Sequence, residues 1–245
     1  MRATFLFKKG DLNSSQAVLN GLSADVKKTP LLLKLQGLIY VKSGDYASAV
    51  SVYETRYEVI PGLDTAKELS SAYALNGQQQ EAIDFLVSVI EKYPNKAKTL
   101  ELKLASLLTS LDPTEAIERY ETIITREPSN YLALNNLAWL LLEADKVDEA
   151  MMYAEQAYEY GGKRPQIADT YGYILLKGGE TEKANDILKL VYADLKANPE
   201  VGLHYAESLI ENNQINEAKT VLSKVVTEDL KLLELKGILE NRLGN

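Results

Sequence analysis

Residues 44–49 of the chain read GDYASA, and related stretches return along its length. They are GQQQEA at 77–82, LDPTEA at 111–116, DKVDEA at 145–150, GETEKA at 179–184 and NQINEA at 213–218. The final alanines lie at positions 49, 82, 116, 150, 184 and 218, so their spacings are 33, 34, 34, 34 and 34 residues. Each stretch joins a turn signal to the start of a helical pattern. The chain is therefore an array of one repeated unit, and this unit decides the fold.

Signals for the start and the end of helices flank each alanine. In the stretch 111–116, Asp112 can cap a helix, Pro113 suits its first position and Glu115 can close a capping box. Prolines at 61, 94 and 128 follow their alanines by twelve residues, and the later units have YGGK (160–163) and ANPE (197–200) there. Proline disfavours helical geometry in the residue before it, so these stretches end the second helix. Nothing alternates with period two, which indicates helices and no strands.

A helix–turn–helix unit of 34 residues resembles the tetratricopeptide repeat (TPR). When the alanine is counted as repeat position 20, the small and aromatic residues fall where that family has them. Position 8 holds Gly37, Ala138, Gly172, Ala206 and Gly237, position 11 holds Tyr40 and Tyr73, and position 24 holds Tyr53 and Tyr120. The resemblance implies an all-α fold, a right-handed TPR superhelix (α-solenoid) of stacked helix–turn–helix repeats.

The repeat predicts a single array over residues 1–245. Its parts are a partial repeat at 2–28, full repeats at about 30–62, 63–96, 97–130, 131–164, 165–198 and 199–230, and a lone first helix at 231–243. One hairpin cannot bury its apolar face alone, so neighbouring hairpins stack. Neither end of the sequence resembles a polar cap, and we therefore expect a fragment of a longer array.

The composition excludes several classes of function. Hydrophobic residues make up 46% of the chain, which is enough for a substantial core, and the formal charge is −8. A charge of this sign argues against a nucleic-acid partner, because phosphate binding needs clustered Lys and Arg. The chain has no cysteine, so disulfides, zinc–thiolate sites and thiol catalysis are excluded. No apolar run approaches the roughly 18 residues of a transmembrane segment.

Catalytic motifs are also missing from the sequence. It contains no P-loop, no G-x-G-x-x-G and no H-E-x-x-H. With one histidine and no cysteine, the usual pairs of nucleophile and base cannot be assembled. We therefore predict that the protein is not an enzyme and that it has no cofactor and no metal.

The candidate site lies on the first helices of the repeats, which the resemblance implies line a concave groove. Repeat positions 5, 9 and 12 share one stripe, because they are four and three residues apart. Trp139, the only tryptophan, and Tyr173 both occupy position 9. Packed helices lie about 8–10 Å apart, so we expect the two rings to be neighbours. The candidate peptide-binding residues are Asn135, Asn136, Trp139, Asp169, Tyr173, His204 and Glu207.

Simpler interpretations of these residues stay open. Trp139 can fill a gap between adjacent first helices instead of binding a partner. His204 and Glu207, three residues apart, have the spacing of a metal-binding pair but lack further ligands. The first half of the predicted groove offers Lys34, Lys42, Lys67 and Lys98, which are typical of a solvated face.

Residues 131–226 carry a narrower resemblance. NNLAWLL at 135–141, DTYGYILLKGGETEKA at 169–184 and the His-bearing helix with HYAESL at 204–209 resemble the C-terminal repeats of the bacterial PEP-CTERM-system TPR lipoproteins (the PrsT type). Tyr171 and Tyr173 replace a leucine and a tryptophan of that pattern. The resemblance implies a periplasmic or cell-envelope location, with a targeting segment absent from this chain; without it, a cytoplasmic location is expected.

We expect a non-catalytic protein–protein interaction scaffold that binds a peptide or protein segment in its groove. The narrower resemblance implies a role in bacterial envelope or exopolysaccharide assembly, or in protein sorting. An acidic and aromatic groove favours an apolar segment with Lys or Arg. Two alternatives stay open: self-association into a homo-oligomer through open repeat ends, and a carbohydrate-binding groove in exopolysaccharide export.

Overall fold

The structure, a computed structural model, describes residues 2–94, 96–162 and 164–244, and these residues form sixteen α-helices and no strand. The helices are α1 (Arg2–Lys8), α2 (Leu12–Asn20), α3 (Ala24–Lys27), α4 (Pro30–Ser43), α5 (Tyr46–Val59), α6 (Leu63–Leu75), α7 (Gln79–Lys92), α8 (Lys98–Leu108), α9 (Pro113–Arg126), α10 (Tyr131–Glu143), α11 (Val147–Gly161), α12 (Pro165–Lys177), α13 (Thr181–Asp194), α14 (Pro199–Glu211), α15 (Ile215–Leu222) and α16 (Leu230–Gly244). The prediction of an all-α chain of paired helices is confirmed.

The turn inside six of the seven helix pairs of the described chain contains one residue in the left-handed region, and the turn between α8 and α9 contains none. These residues are Gly10, Gly44, Gly77, Asp145, Gly179 and Asn213, with φ between 58° and 85°. Glycine adopts this conformation without steric cost, and Asp and Asn tolerate it better than most other residues. Apart from the gap at the α8–α9 turn, the left-handed residues repeat at the spacing of the alanines, so the turn and the helix crossing belong to one unit.

The predicted ends of the helices agree with the structure. Helices α5, α7 and α9 end two residues before prolines 61, 94 and 128, as the conformational restriction before proline requires. At the start of α9, the Glu115 amide donates to the Asp112 carboxylate at 3.0 Å, which is the predicted cap. Lys163, the last residue of the predicted YGGK stop, lies outside the described residues.

The repeated alanines lie at the centres of the helix crossings. Ala49, Ala82, Ala116, Ala150, Ala184 and Ala218 are all completely buried. Two glycines at position 8 also lie close to the second helix of their pair. A Cβ added to Gly172 would lie 2.9 Å from Leu188 Cγ, and one added to Gly37 would lie 2.5 Å from the Tyr53 ring. Larger side chains at these places would push the helices apart.

The helices group into two compact units, residues 1–116 and residues 117–245. In unit 1, consecutive helices from α4 to α8 pack against one another, and α5 and α6 form a cluster of Ala49, Val50, Tyr53, Leu69 and Ala72. In unit 2, α10 to α16 do the same, and the first helices also pack on one another in the order α10, α12, α14 and α16. The division of the chain into six full repeats remains a prediction.

No helix in the described ranges is long and apolar enough to cross a membrane.

The close crossing makes a prediction about two glycines of unit 2. Replacing Gly172 with alanine forces Leu188 and Ile187 to move, so we expect a loss of about 1–3 kcal/mol in the free energy of unfolding. Gly237 is the control, because within the described chain no atom beyond its own helix lies within 4 Å of an added Cβ. Gly237→Ala should stabilise by about 0.5–1 kcal/mol, since alanine favours a helix interior over glycine. Urea unfolding of both variants measures the two effects, and equal stability of Gly172→Ala and the wild type would contradict the tight crossing.

Candidate functional site

Two aromatic residues one repeat apart lie side by side on the first helices of unit 2. The ring centroids of Trp139 on α10 and Tyr173 on α12 are 6.0 Å apart, and their planes differ by 25°. Trp139 is half-buried, whereas Tyr173 is buried. The spacing of 34 residues therefore places the two rings next to each other, as predicted, with Trp139 the more accessible one.

His204 on α14 extends this row of rings. Its centroid lies 3.8 Å from that of Tyr173, with 19° between the planes, and 6.2 Å from that of Trp139. Its Nδ1 lies 3.0 Å from Asp169 Oδ2, and both residues are buried, with exposed fractions of 3% and 8%. Because His204 already bonds to Asp169, the predicted site residues of three successive first helices form one connected group.

Glu207 on α14 belongs to the same group through a lysine. Lys177 Nζ lies 2.5 Å from Glu207 Oε1 and 4.7 Å from the centroid of the Tyr173 ring. Burial raises the pKa of the Tyr173 hydroxyl, and the charge of Glu207 raises it further. Desolvation lowers the pKa of Lys177, but its hydrogen bonds and charge interactions with Glu207 and Tyr173 outweigh this effect, so its pKa is raised. Lys177 therefore holds a positive charge against the ring and the carboxylate.

The two asparagines of α10 take different places. Asn136 donates from Nδ2 to the Tyr120 hydroxyl at 3.0 Å, so it joins α10 to α9. Asn135 lies one helical turn before Trp139, and its Oδ1 is buried. Of the seven predicted residues, the structure brings together Trp139, Asp169, Tyr173, His204 and Glu207.

Three buried oxygens of the predicted site lack a hydrogen-bond partner among the described residues. They are Asn135 Oδ1, Asp169 Oδ1 and Glu207 Oε2. An acceptor buried without a donor costs roughly 1–3 kcal/mol, and more when it is charged. The site thus retains capacity to accept hydrogen bonds.

A cavity of about 500 Å³ opens beside the aromatic row. Trp139, Tyr173 and His204 form one side of it, and Leu232 and Leu235 of α16 form another. Three carboxylates, those of Glu143, Asp145 and Glu200, and two lysines, Lys177 and Lys231, complete its charged lining. The lining therefore combines aromatic and aliphatic side chains with three acidic and two basic groups.

Sequence reasoning missed Lys177 and the contribution of α16. Lys177 follows Tyr173 by four residues on the same helix, and this spacing places the two side chains on one face. The sequence predicted the lone helix itself, but no comparable signal showed that its leucines line the cavity. Within the described chain, no group of three or more His, Asp or Glu side chains could hold a metal ion.

The lysines in the first half of the predicted groove take part in interactions within unit 1. Lys34 Nζ lies 2.7 Å from Glu68 Oε1, and Glu68 also accepts from Arg56 at 2.9 Å. Lys42 Nζ lies 4.8 Å from the centroid of the Phe7 ring. Lys34 and Lys67 line a second cavity, of about 540 Å³, together with Glu68. This cavity has one aromatic lining residue, Tyr53, whereas the cavity of unit 2 has the row of Trp139, Tyr173 and His204.

Three models of the tetratricopeptide repeat match the sequence, at residues 32–64, 68–96 and 109–230. The chain is built from tetratricopeptide repeats. These repeats generally mediate protein–protein interactions, and the proteins that carry them are generally non-catalytic scaffolds. None of the three matching models supports the narrower prediction of a PEP-CTERM-system lipoprotein.

Solved structures of other tetratricopeptide proteins share the fold at low identity. A tetratricopeptide repeat protein from Parabacteroides merdae is 18% identical, with a TM-score of 0.64 over 87% of this chain and 89% of that one. A chain of the APC/C hetero-tetramer Cut9–Hcn1 is 14% identical, with a TM-score of 0.74 over 97% of this chain and 48% of that one. A protein from Thermus thermophilus is 19% identical, with a TM-score of 0.59 over 75% of this chain and all of that one. No curated protein sequence matches the tetratricopeptide array.

The buried pair of His204 and Asp169 yields a prediction that a double-mutant cycle can test. His204→Phe retains an aromatic ring against Tyr173 but removes Nδ1, so neither oxygen of Asp169 keeps a hydrogen bond from a described residue. We expect a loss of about 1–3 kcal/mol in the free energy of unfolding. Adding Asp169→Leu should restore most of that loss, because no carboxylate then stays buried without a partner.

Urea unfolding of the wild type, the two single variants and the double variant gives the coupling energy. Strictly additive effects would show that the two side chains do not stabilise one another.

Proposed function

We propose that this tetratricopeptide array is a non-catalytic scaffold that binds a peptide or protein segment against α10, α12 and α14 of unit 2. The observation that carries the proposal is the row of Trp139, Tyr173 and His204 beside a cavity of about 500 Å³. A cavity of a few hundred Å³ with aromatic walls and a few polar groups is typical of a binding site. The general role of tetratricopeptide repeats in protein–protein interaction supports a protein ligand over a small metabolite.

The charges around the cavity indicate what the segment carries. Glu143, Asp145 and Glu200 line it, and Asp169 and Glu207, which contact His204 and Lys177, have one unsatisfied buried oxygen each. A Lys or Arg side chain supplies both the positive charge and the hydrogen-bond donors that these oxygens lack. The accessible face of Trp139 can take the same cation by a cation–π contact. The ligand is accordingly an apolar segment with at least one basic residue.

The finer parts of the proposal rest on the sequence. The division into six full repeats between residues 30 and 230 follows from the spacing of the alanines. A place in bacterial envelope or exopolysaccharide assembly, or in protein sorting, follows only from the resemblance of residues 131–226. The carbohydrate alternative has less support, because Tyr173 stacks on His204 and lies under Lys177 and so has little ring surface left for a sugar.

A matched pair of variants tests the binding site. Peptides are first selected on the folded wild-type chain from a random library, and their affinities are measured by fluorescence anisotropy of labelled peptide. Trp139→Ala should weaken binding by about 2 kcal/mol, the loss typical of a central aromatic contact. Tyr160→Ala is the control, because Tyr160 is 52% exposed at the end of α11 and lies outside the cavity lining.

Enrichment of Lys or Arg among the selected peptides is also expected. Equal affinity of Trp139→Ala and Tyr160→Ala for them would place binding elsewhere on the chain and refute the proposed site.

A second candidate function, self-association, is favoured by the outer face of α16. Leu230, Leu233 and Ile238 are 82%, 44% and 50% exposed there. If this face pairs copies of the chain, light scattering across a dilution series should show an average molecular mass that decreases as the protein is diluted. The triple change of these residues to lysine should then give a monomer at every concentration, whereas a wild-type mass equal to one chain throughout would dismiss self-association.

A further inference from the structure

The last helix of unit 2 covers part of the proposed binding face. Leu232, Leu235, Leu239 and Leu243 of α16 pack on a cluster built by α14 and α15. Lys231, Leu232 and Leu235 also line the cavity opposite Trp139 and Tyr173. The leucines follow one another at spacings of three, four and four residues, which places them on one face of the helix. The chain therefore supplies a leucine-bearing helix to its own binding face.

A basic residue of α16 reaches the acidic residues of that face. Arg242 Nη2 lies 2.6 Å from Glu211 Oε1, and its Nη1 lies 4.0 Å from Glu207 Oε1. Arg242 follows Leu239 by three residues, so it lies on the same side of α16 as the leucines. Apolar side chains together with one basic residue are the chemistry proposed above for an external ligand. Helix α16 thus has the same chemistry as the ligand proposed for this face.

The fit of α16 is incomplete. Glu207 Oε2 stays buried without a hydrogen-bond partner among the described residues, although Arg242 of α16 lies 4.0 Å from the other oxygen of that carboxylate. A helix whose basic side chain reached Glu207 Oε2 would remove the cost of that unsatisfied carboxylate oxygen. A partner can therefore gain a contact that α16 does not make.

Helix α16 is also weakly anchored compared with its neighbours. Of the fifteen residues of α16, Leu239 alone is buried, whereas ten of the thirteen residues of α14 are buried. Its outer face is exposed. A Cβ added to Gly237 would have no atom of another described helix within 4 Å. Elements with few buried apolar contacts open at low free-energy cost. Dissociation of α16 from α14 therefore needs far less energy than unfolding of the unit.

We propose that α16 is a tethered competitor for the binding face of α14, displaced when a partner helix with the pattern Leu-x2-Leu-x3-Leu-x2-Arg binds there. The pattern is that of Leu232, Leu235, Leu239 and Arg242. The proposal rests on the proposed function and adds the kind of partner and the means of regulation. Because the tethered helix and the partner exclude each other, the apparent affinity for the partner depends on how often α16 leaves the face.

A labelled synthetic peptide of residues 229–244 serves as the probe, and the protein is the full chain. Arg242→Glu places a carboxylate beside Glu207 and Glu211 and so weakens the hold on α16. Lys189→Glu is the matched control, since it changes the charge equally on an exposed part of α13. Arg242→Glu should bind the peptide at least about tenfold more tightly than the wild type and the control, which is a difference of about 1.4 kcal/mol.

The reverse test locks α16 in place. The chain has no cysteine, so Glu211→Cys/Arg242→Cys introduces the only two thiols, and a short bismaleimide can join them. The linked protein should bind the peptide at least about tenfold more weakly than the same protein before linking.

Equal affinities with and without the link, or no gain in Arg242→Glu, would overturn the displacement of α16 and make that helix a fixed wall. Absence of peptide binding by every variant would overturn the predicted partner pattern. The proposed function fails on a different result, namely unchanged binding of library-selected peptides by Trp139→Ala, so the two failures can be told apart.

Discussion

The close approach of two helices at a fully buried small residue is the constraint on which each repeat depends. Ala150, Ala184 and Ala218 have no exposed surface, and the Cβ that Gly172 lacks would collide with Leu188. Since the crossing fixes where the two helices meet, it also fixes which residues of the first helix face away from the second. Repetition of the crossing every 34 residues is what aligns Trp139 with Tyr173 on neighbouring helices.

The first helices of unit 2 bury polar side chains next to Trp139 and Tyr173, and this burial costs free energy of folding. A pair such as His204 and Asp169 is often no more stabilising than well-packed apolar residues of the same size. Its value lies in orientation, because the bond to Asp169 helps hold the imidazole flat against Tyr173. Lys177 acts similarly from the same helix, with its ammonium held between Glu207 and the ring. The face is thus rigid before any ligand arrives, which reduces the entropy lost on binding.

The sequence predicted the repeat, the helix ends and the neighbouring rings because each depends on residues at fixed spacing. Pro61 and Asp112 act locally, and Trp139 and Tyr173 follow from the period. The depth of the site was harder to foresee: Asp169, His204 and Glu207 are buried, since their neighbours on adjacent helices are large. The sequence predicted a lone first helix at 231–243, close to α16, but it did not predict that Leu232 and Leu235 of that helix line the cavity with Trp139.

The packing of each helix against the next one or two in the chain has a kinetic consequence. Contacts within each unit join residues that are close in sequence, so the loops that must close during folding are short. Chains with such low contact order fold quickly, and in repeat arrays folding can begin at any hairpin and spread to its neighbours. The same locality means that adding or removing 34 residues leaves every remaining contact in register. Array length can therefore change in whole repeats, while the aromatic row keeps its geometry as long as the helices from α10 to α14 stay together.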